Sequence, residues 1–366
     1  MAKKKPNYKF RRNLAKAFLV LIIIIPIILI NRVKLAHLPL YLSNTKYTDI
    51  IDAMFEVQYT GSEAKNTLNY LKEKKKINDN TDDYIFKLYD KGYNKNTIDY
   101  LIRNLNKSQI TDFLDKKYSK DFEEYIKLDL FKYSKYNRYI KYQEKHKDLS
   151  LEDVVIRIEL NMDKTYYEDS EFIKNALVLN TPMPISLKEA YYEYHEPKDL
   201  VDMEDDYANN MYGTLTIRKE AYEKFKEMCN ASRKDGVKFY AESAYRGYNY
   251  QNIIYKNYID ENGQEKADKY AARPGFSEHE LGLALDLANI WTITTKGEEY
   301  KWLTKNAYKY GYIIRYKKEW EDITGYSAES WHIRYVGVKA ASVIQKENIT
   351  YEEYYAKYIL TKKSSK

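Results

Sequence analysis

The chain has 366 residues, enough for two folded units and a membrane segment. Its formal charge of +7 is concentrated at one end: nine of the 61 basic residues lie within residues 1–34 with no acidic residue among them, which leaves 52 basic against 54 acidic over the rest. A body so near neutrality gives no support to a nucleic-acid footprint, and a single cysteine, Cys229, excludes an intramolecular disulfide and any site built from several thiolates. A metal held here is therefore held by histidine and carboxylate. The 41 tyrosines, in a chain rich in Lys, Asn and Ile, reflect an AT-rich coding bias more than a stacking surface.

In chain order, residues 1–16 form a basic tail. The uninterrupted apolar run Ala17–Ile30 follows, fourteen residues against the roughly 20 that span hydrocarbon. Leu14 at one end and Val33 to Leu40 at the other, with Arg32 and Lys34 snorkelling, extend it to a workable span. No Ala-x-Ala-like cleavage site follows, the nearest candidate at Lys34–His37 being poor, so an uncleaved signal anchor over 17–38 is expected in preference to a cleaved signal. The basic flank places the N-terminus in the cytoplasm and everything after about residue 40 on the outer side of the cell membrane.

Residues 45–170 read as short amphipathic helices separated by polar turns. Ile98, Leu101, Ile102 and Leu105 recur at helical spacing, as do Phe122, Tyr125, Ile126 and Leu128 to Leu130, with breaks near Lys91–Asn94 and Lys117–Lys120. No residue in this region carries chemistry; a spacer is the plain reading and a polymer-gripping module the alternative. Asn180–Pro184, with two prolines, marks a linker. Beyond it, over 175–360, the pattern becomes mixed: a helix at Arg218–Met228, strands at Lys238–Ala244 and Leu283–Ala288, a helix at Thr304–Tyr310 ending at Gly311, and a last buried strand at Trp331–Val336. That order predicts an α+β domain, a small antiparallel sheet with flanking helices, preceded by the anchor and an all-helical region.

Two of the five histidines, His279 and His332, sit in unusual contexts. His279 lies in a glycine-punctuated turn, PGFSEHELGLALDL, running into a strand in which Leu283, Leu285 and Leu287 face one way and Ala284, Asp286 and Ala288 the other. A carboxylate between two alanines has room around it and requires a cation or donors if buried. His332 follows Glu329 by three residues at the start of an apolar strand. Two imidazoles and one carboxylate leave a fourth zinc position for water, the catalytic arrangement. Glu329 is then placed to take a proton from that water, and Arg246, at a strand end, to stabilise an oxyanion. Taken singly, each residue has a plainer reading: a satisfied histidine, an Asp cap, a surface arginine. The zincin pattern is absent, because position 283 is Leu283.

The strings SAYRGYNYQ (243–251), PGFSEHELGLALDL (274–287), YGYIIRY (310–316) and EDITGYSAESWHIRYVG (321–337) resemble the VanY-type D-alanyl-D-alanine carboxypeptidases, relatives of VanX and of the lysostaphin and hedgehog fold. The resemblance runs from about residue 175 to 345. It implies a zinc carboxypeptidase with His279, Asp286 and His332 as metal ligands, Glu329 as the catalytic carboxylate, Arg246 as the transition-state arginine, and Gln251 and Ser277 at positions that contact substrate, though local turn bonding is an equally good account of those two. Ser330, where relatives often carry proline, and Ala244 and Gly247, where Gly and Ser are common, depart from the pattern without removing an assigned side chain. The expected partners are peptidoglycan stem peptides and the membrane. L,D-carboxypeptidase or wall endopeptidase activity stays open, as does a zinc-holding wall-binding module without catalysis.

Overall fold

The computed structural model describes residues 34–163, 196–211, 213–289 and 293–360. The basic tail, the apolar run at 17–30 and the linker at 180–184 lie outside them. Among the described residues no helix is long and apolar enough to cross a membrane. The described end of the expected anchor packs onto the helix Thr48–Glu56: Lys34 Nζ lies 2.8 Å from Asp52 and the His37 ring stacks on Phe55 at 4.6 Å.

The chain divides into two compact units near residue 127. The first is helical, with helices Thr48–Glu56, Gly61–Glu73, Thr81–Asp90, Lys95–Asn104, Lys107–Asp115 and Lys120–Tyr125. Each amphipathic stripe is buried as its spacing requires: Ile98, Leu101 and Ile102 are inside, as are Leu68, Leu71, Ile85 and Leu88. The breaks are chemical. Thr60 with Glu63, and Asn106 with Gln109, form capping boxes, while Asn94 and Ser119 cap the helices after them. The stripe around Phe122 is shorter than its spacing implies, since that helix ends at Tyr125 and Leu128–Leu130 lies outside it.

The second unit begins at residue 128 and takes in helices Tyr136–Lys145 and Leu151–Glu159, which the sequence reading groups with the helical region. They are tied to it by charge, through Arg157 to Asp322 and Lys357 to Glu152. Its sheet has four antiparallel strands in the order β3–β4–β6–β5: β3 Tyr240–Ser243, β4 Ala284–Ala288, β5 Tyr312–Tyr316 and β6 Glu329–Tyr335. A two-stranded ribbon pairs β1 Leu200–Asp202 with β2 Thr216–Arg218. The helix Lys219–Lys234 lays Phe225, Met228 and Cys229 on one face of the four-stranded sheet, where they meet Leu285, Leu287, Tyr312 and Ile333 in the core. Burial raises the Cys229 thiol to about 12, so it is inert packing.

Each sequence-predicted element of this unit exists with shifted ends. The expected helix at Thr304–Tyr310 is the tail of a longer one, Glu298–Asn306, which tightens into a 3₁₀ turn, Ala307–Tyr310, before Gly311. Gly311 has φ +80, and a Cβ there would meet Tyr335 at 2.7 Å and the Val338 nitrogen at 2.9 Å, so glycine is required to turn the chain into β5. The strand β5 and the helix Tyr248–Asn262 carry no clear period in the sequence; β5 is buried along its whole length and so shows no alternation.

Candidate active site

Sheet register assembles the centre of the site. Asp286 in β4 lies directly opposite His332 in β6 and opposite Ser243 in β3, so one carboxylate, one imidazole and one hydroxyl form a row across three strands. His279 arrives from a separate element, the 3₁₀ turn Glu278–Leu281. Ser277 caps that turn, its Oγ accepting from the His279 N–H at 3.3 Å, and Glu280 closes the capping box. Gly282, at φ +63, then swings the chain into β4; a Cβ there would come within 2.8 Å of Leu200. Glu329 joins through an irregularity in β6. Between Ile314 and Tyr316, β5 advances two residues while its partner runs from Ile333 back to Glu329, and the two extra residues bring Glu329 Oε2 to 3.6 Å from His332 Nδ1.

His279, Asp286 and His332 offer donor atoms that all lie within 4.8 Å of one another. Hydrogen bonds on the far sides of the two rings determine what faces inward. His279 Nδ1 donates to the Ala244 carbonyl at 2.6 Å, which leaves Nε2 as a lone pair, buried and without a hydrogen-bond partner, 3.2 Å from Asp286 Oδ2. Two acceptors facing each other in a buried place call for a cation between them. His332 Nε2 lies 3.3 Å from Glu278 Oε2 and its Nδ1 lies 3.0 Å from Asp286 Oδ1. The donor set of two imidazoles and a carboxylate, each imidazole backed by an acceptor, fits a borderline divalent metal.

Electrostatics separate the acids. Burial and the Arg246 guanidinium drive His279 down to about 4, so it is neutral and able to ligate. Burial works against the cation at His332 too, but hydrogen bonds to Asp286 and Glu278 win and lift it to about 9, so a metal at Nδ1 would displace a proton there. Burial would raise Asp286, yet the two histidines and Arg246 hold it well below the usual carboxylate range. Glu329 goes the other way, pushed up by burial to about 7, a value suited to a base working near neutrality.

Arg246 spans the site. Its Nη2 donates to Asp286 Oδ2 at 2.6 Å, Nη1 to Gln251 Oε1 at 3.1 Å and Nε to Ser243 Oγ at 3.0 Å, while its backbone N–H donates to the His279 carbonyl. Gln251 and Ser277 both line the cleft, but their polar atoms are engaged locally. Gln251 holds Arg246 with its oxygen and donates its nitrogen to the Ala272 carbonyl at 2.7 Å, and Ser277 caps the turn. The cleft has a volume of about 290 Å³, and Tyr250, Tyr258, Tyr270, Tyr326 and Trp331 form its aromatic walls. The sequence reading assigned no role to Glu278, to Arg315, or to Tyr316, whose ring lies 4.9 Å from that of His332. The available signal was an acid next to His279 and an arginine inside an apolar strand.

The D-alanyl-D-alanine carboxypeptidase family model, VanY, matches residues 214–338. YodJ of Bacillus subtilis, a protein classed among the carboxypeptidases, is 39% identical over 211 residues, 54% of this chain and 77% of that one. The chain belongs to the VanY carboxypeptidase family. It is a peptidase enzyme. A D-alanyl-D-alanine carboxypeptidase of Enterococcus faecium is 34% identical over 54% of this chain and 62% of its own length. Among solved structures, the LD-carboxypeptidase LdcB is 42% identical with a TM-score of 0.43, covering 45% of this chain and 81% of that one. The vancomycin-resistance D,D-pentapeptidase VanY in complex with Zn(II) is 32% identical with a TM-score of 0.39, covering 44% and 90%. The family match takes in Arg246, His279, Asp286, Glu329 and His332, and leaves out the helical unit before residue 128.

Proposed function

We propose that this VanY-family enzyme is a zinc-dependent carboxypeptidase that removes the terminal D-alanine from peptidoglycan stem peptides on the outer side of the cell membrane. The observation that carries the reading is the convergence of the His279 Nε2 lone pair, Asp286 and His332 in one cleft with Glu329 and Arg246 beside them. His279, Asp286 and His332 are the residues that would hold the metal. When bound, zinc supplies a Lewis acid and lowers the pKa of water toward about 7.

The remaining steps belong to the chain's own side chains. Glu329 takes the proton of the attacking water and returns it to the departing amine, acting first as base and then as acid. Arg246 is held by Ser243 and Gln251 in a fixed fork, so its charge is already oriented toward an oxyanion on the scissile carbonyl. The aromatic walls offer the stem peptide apolar surface beside the polar centre. The anchor at 17–38 supports the external location through its basic flank and apolar run.

The test is mass spectrometry of stem peptides incubated with the full chain. Loss of one D-alanine from a pentapeptide, abolished by a chelator, is the expected result. Cleavage of tetrapeptides alone indicates an L,D-carboxypeptidase, cleavage of cross-links an endopeptidase, and zinc binding without turnover a wall-binding module; each would replace the reading.

A further inference from the structure

Behind His332 lies a buried ionic chain that the reaction does not call for. Glu278 Oε1 accepts from Arg315 Nε at 2.8 Å, and Arg315 sends Nη1 and Nη2 to the two oxygens of Glu352 at 3.1 and 2.6 Å. Arg334 adds a second guanidinium, its Nη1 3.9 Å from Glu278 Oε2. All four side chains are essentially sealed, at 2%, 1%, 1% and 0% exposure for Glu278, Arg315, Glu352 and Arg334. Glu352 belongs to the short helix Tyr351–Tyr355, beyond the residues matched by the family model. The Arg315 guanidinium is clamped between rings, 5.0 Å from Tyr316 and 6.0 Å from Tyr351.

Burying four charges is costly, and well-packed apolar residues would serve stability as well or better, so such a cluster is poor evidence of a stabilising role. What it does accomplish is directional. Arg315 is bidentate to Glu352 and cannot swing, which leaves its Nε aimed at Glu278. Glu278, paired with Arg315 at 2.8 Å and flanked by Arg334, faces His332 as an acceptor and turns Oε2 to His332 Nε2. An acceptor fixed at Nε2 demands a proton there, and a neutral imidazole protonated at Nε2 presents a lone pair at Nδ1, the atom facing Asp286. His279 is set in the mirror sense by the Ala244 carbonyl, which takes Nδ1–H and frees Nε2.

We infer that Glu278 is a positioning residue, held through Arg315 by Glu352 of the C-terminal helix, that fixes His332 with Nε2–H turned away from the cleft and Nδ1 turned to the metal. This rests on the metal reading given above, and the two fail differently.

The first measurement uses wild-type full chain loaded with zinc. The His332 Nε2–H should appear as a downfield, slowly exchanging imidazole proton; a His332 without a proton on Nε2 would overturn the inference. A wild type that binds no zinc at all removes the metal reading itself, before any variant is made. Glu278→Gln keeps the size but removes the charge, and should weaken zinc on the order of 10- to 100-fold in a chelator competition and shift that proton. If Glu278→Gln does not fold, Glu278→Asp keeps the charge for Arg315 while shortening the reach to His332, and should show the same loss. Glu352→Gln should weaken zinc severalfold through Arg315, with Glu352→Asp restoring part of it. Wild-type zinc affinity in a folded Glu278 variant overturns the role of Glu278. A Glu352→Gln protein that melts earlier yet binds zinc like the wild type overturns the link to the C-terminal helix.

Discussion

Glu329→Gln separates an enzyme from a zinc-holding module. The amide has nearly the shape of the carboxylate, so the walls of the cleft and the irregular start of β6 should stand, but it cannot accept a proton. General-base catalysis is worth about 100- to 10,000-fold, or about 2.7 to 5.4 kcal/mol at 1.36 kcal/mol per decade. The position of Glu329 fits the role of base: it is half-buried, 3.6 Å from His332 Nδ1, with its carboxyl lifted to about 7. The same value gives a pH test with a definite sign. The base works deprotonated, so activity falls as pH drops through its pKa, and because a divalent cation beside a carboxylate lowers that pKa, the acid limb should lie at or below about 7. Turnover of a pentapeptide stem and zinc stoichiometry should be measured on one preparation across pH. A Glu329→Gln enzyme within tenfold of wild type at neutral pH would refute the base assignment, and loss of zinc along with activity would show that Glu329 is a ligand.

Chelation should abolish turnover and added zinc restore it, and His279→Ala, Asp286→Ala and His332→Ala should each lower bound zinc; unchanged stoichiometry in any of them removes that residue from the ligand set. Arg246→Ala should cut kcat/KM by about 100- to 1,000-fold, the range for one oxyanion donor, with zinc retained; an effect under tenfold assigns Arg246 to structure. A reporter fused after residue 45 should be exported and remain with membranes, whereas a soluble product beginning near residue 37 would show a cleaved signal. Phe225→Ala, at a fully buried core position outside the lining of the cleft, should lower stability by about 3 to 5 kcal/mol in a denaturant melt without changing turnover per folded molecule.

The candidate donors stood out through local pattern together with the family resemblance, since each taken singly has a plainer reading: an acid between alanines in a strand, a histidine in a glycine-punctuated turn, an acid three residues before a second histidine. The row formed by Ser243, Asp286 and His332 was not legible, since it depends on register between three strands distant in sequence. The same limit applies to Glu329. Strand alternation would put residues three apart on opposite faces, and only the two extra residues in β6 bring Glu329 to His332. The six-residue helix before Leu128 ends at Tyr125 although apolar residues continue beyond it, an end that spacing alone does not mark. The strand β5 was hidden because both of its faces are covered.

Gln251 and Ser277 line the cleft while their polar atoms also bond within the protein. Both line the cleft, as a substrate-contacting pair must, yet Gln251 has its oxygen on Arg246 and its nitrogen on Ala272, and it is 1% exposed. A side chain whose donor and acceptor are both committed offers a ligand little without first releasing a partner. The bond from Arg246 to the Gln251 oxygen helps to hold the guanidinium in place. Ser277, by capping the turn, aims His279 in the same indirect way. Three of the groups that face the cleft centre are thus oriented from behind: His279 by Ala244 and Ser277, His332 by Glu278, Arg246 by Ser243 and Gln251. That arrangement suits chemistry in which little reorganisation is left to the reacting moment, and it accounts for polar side chains being sealed at positions where apolar ones would pack at lower cost.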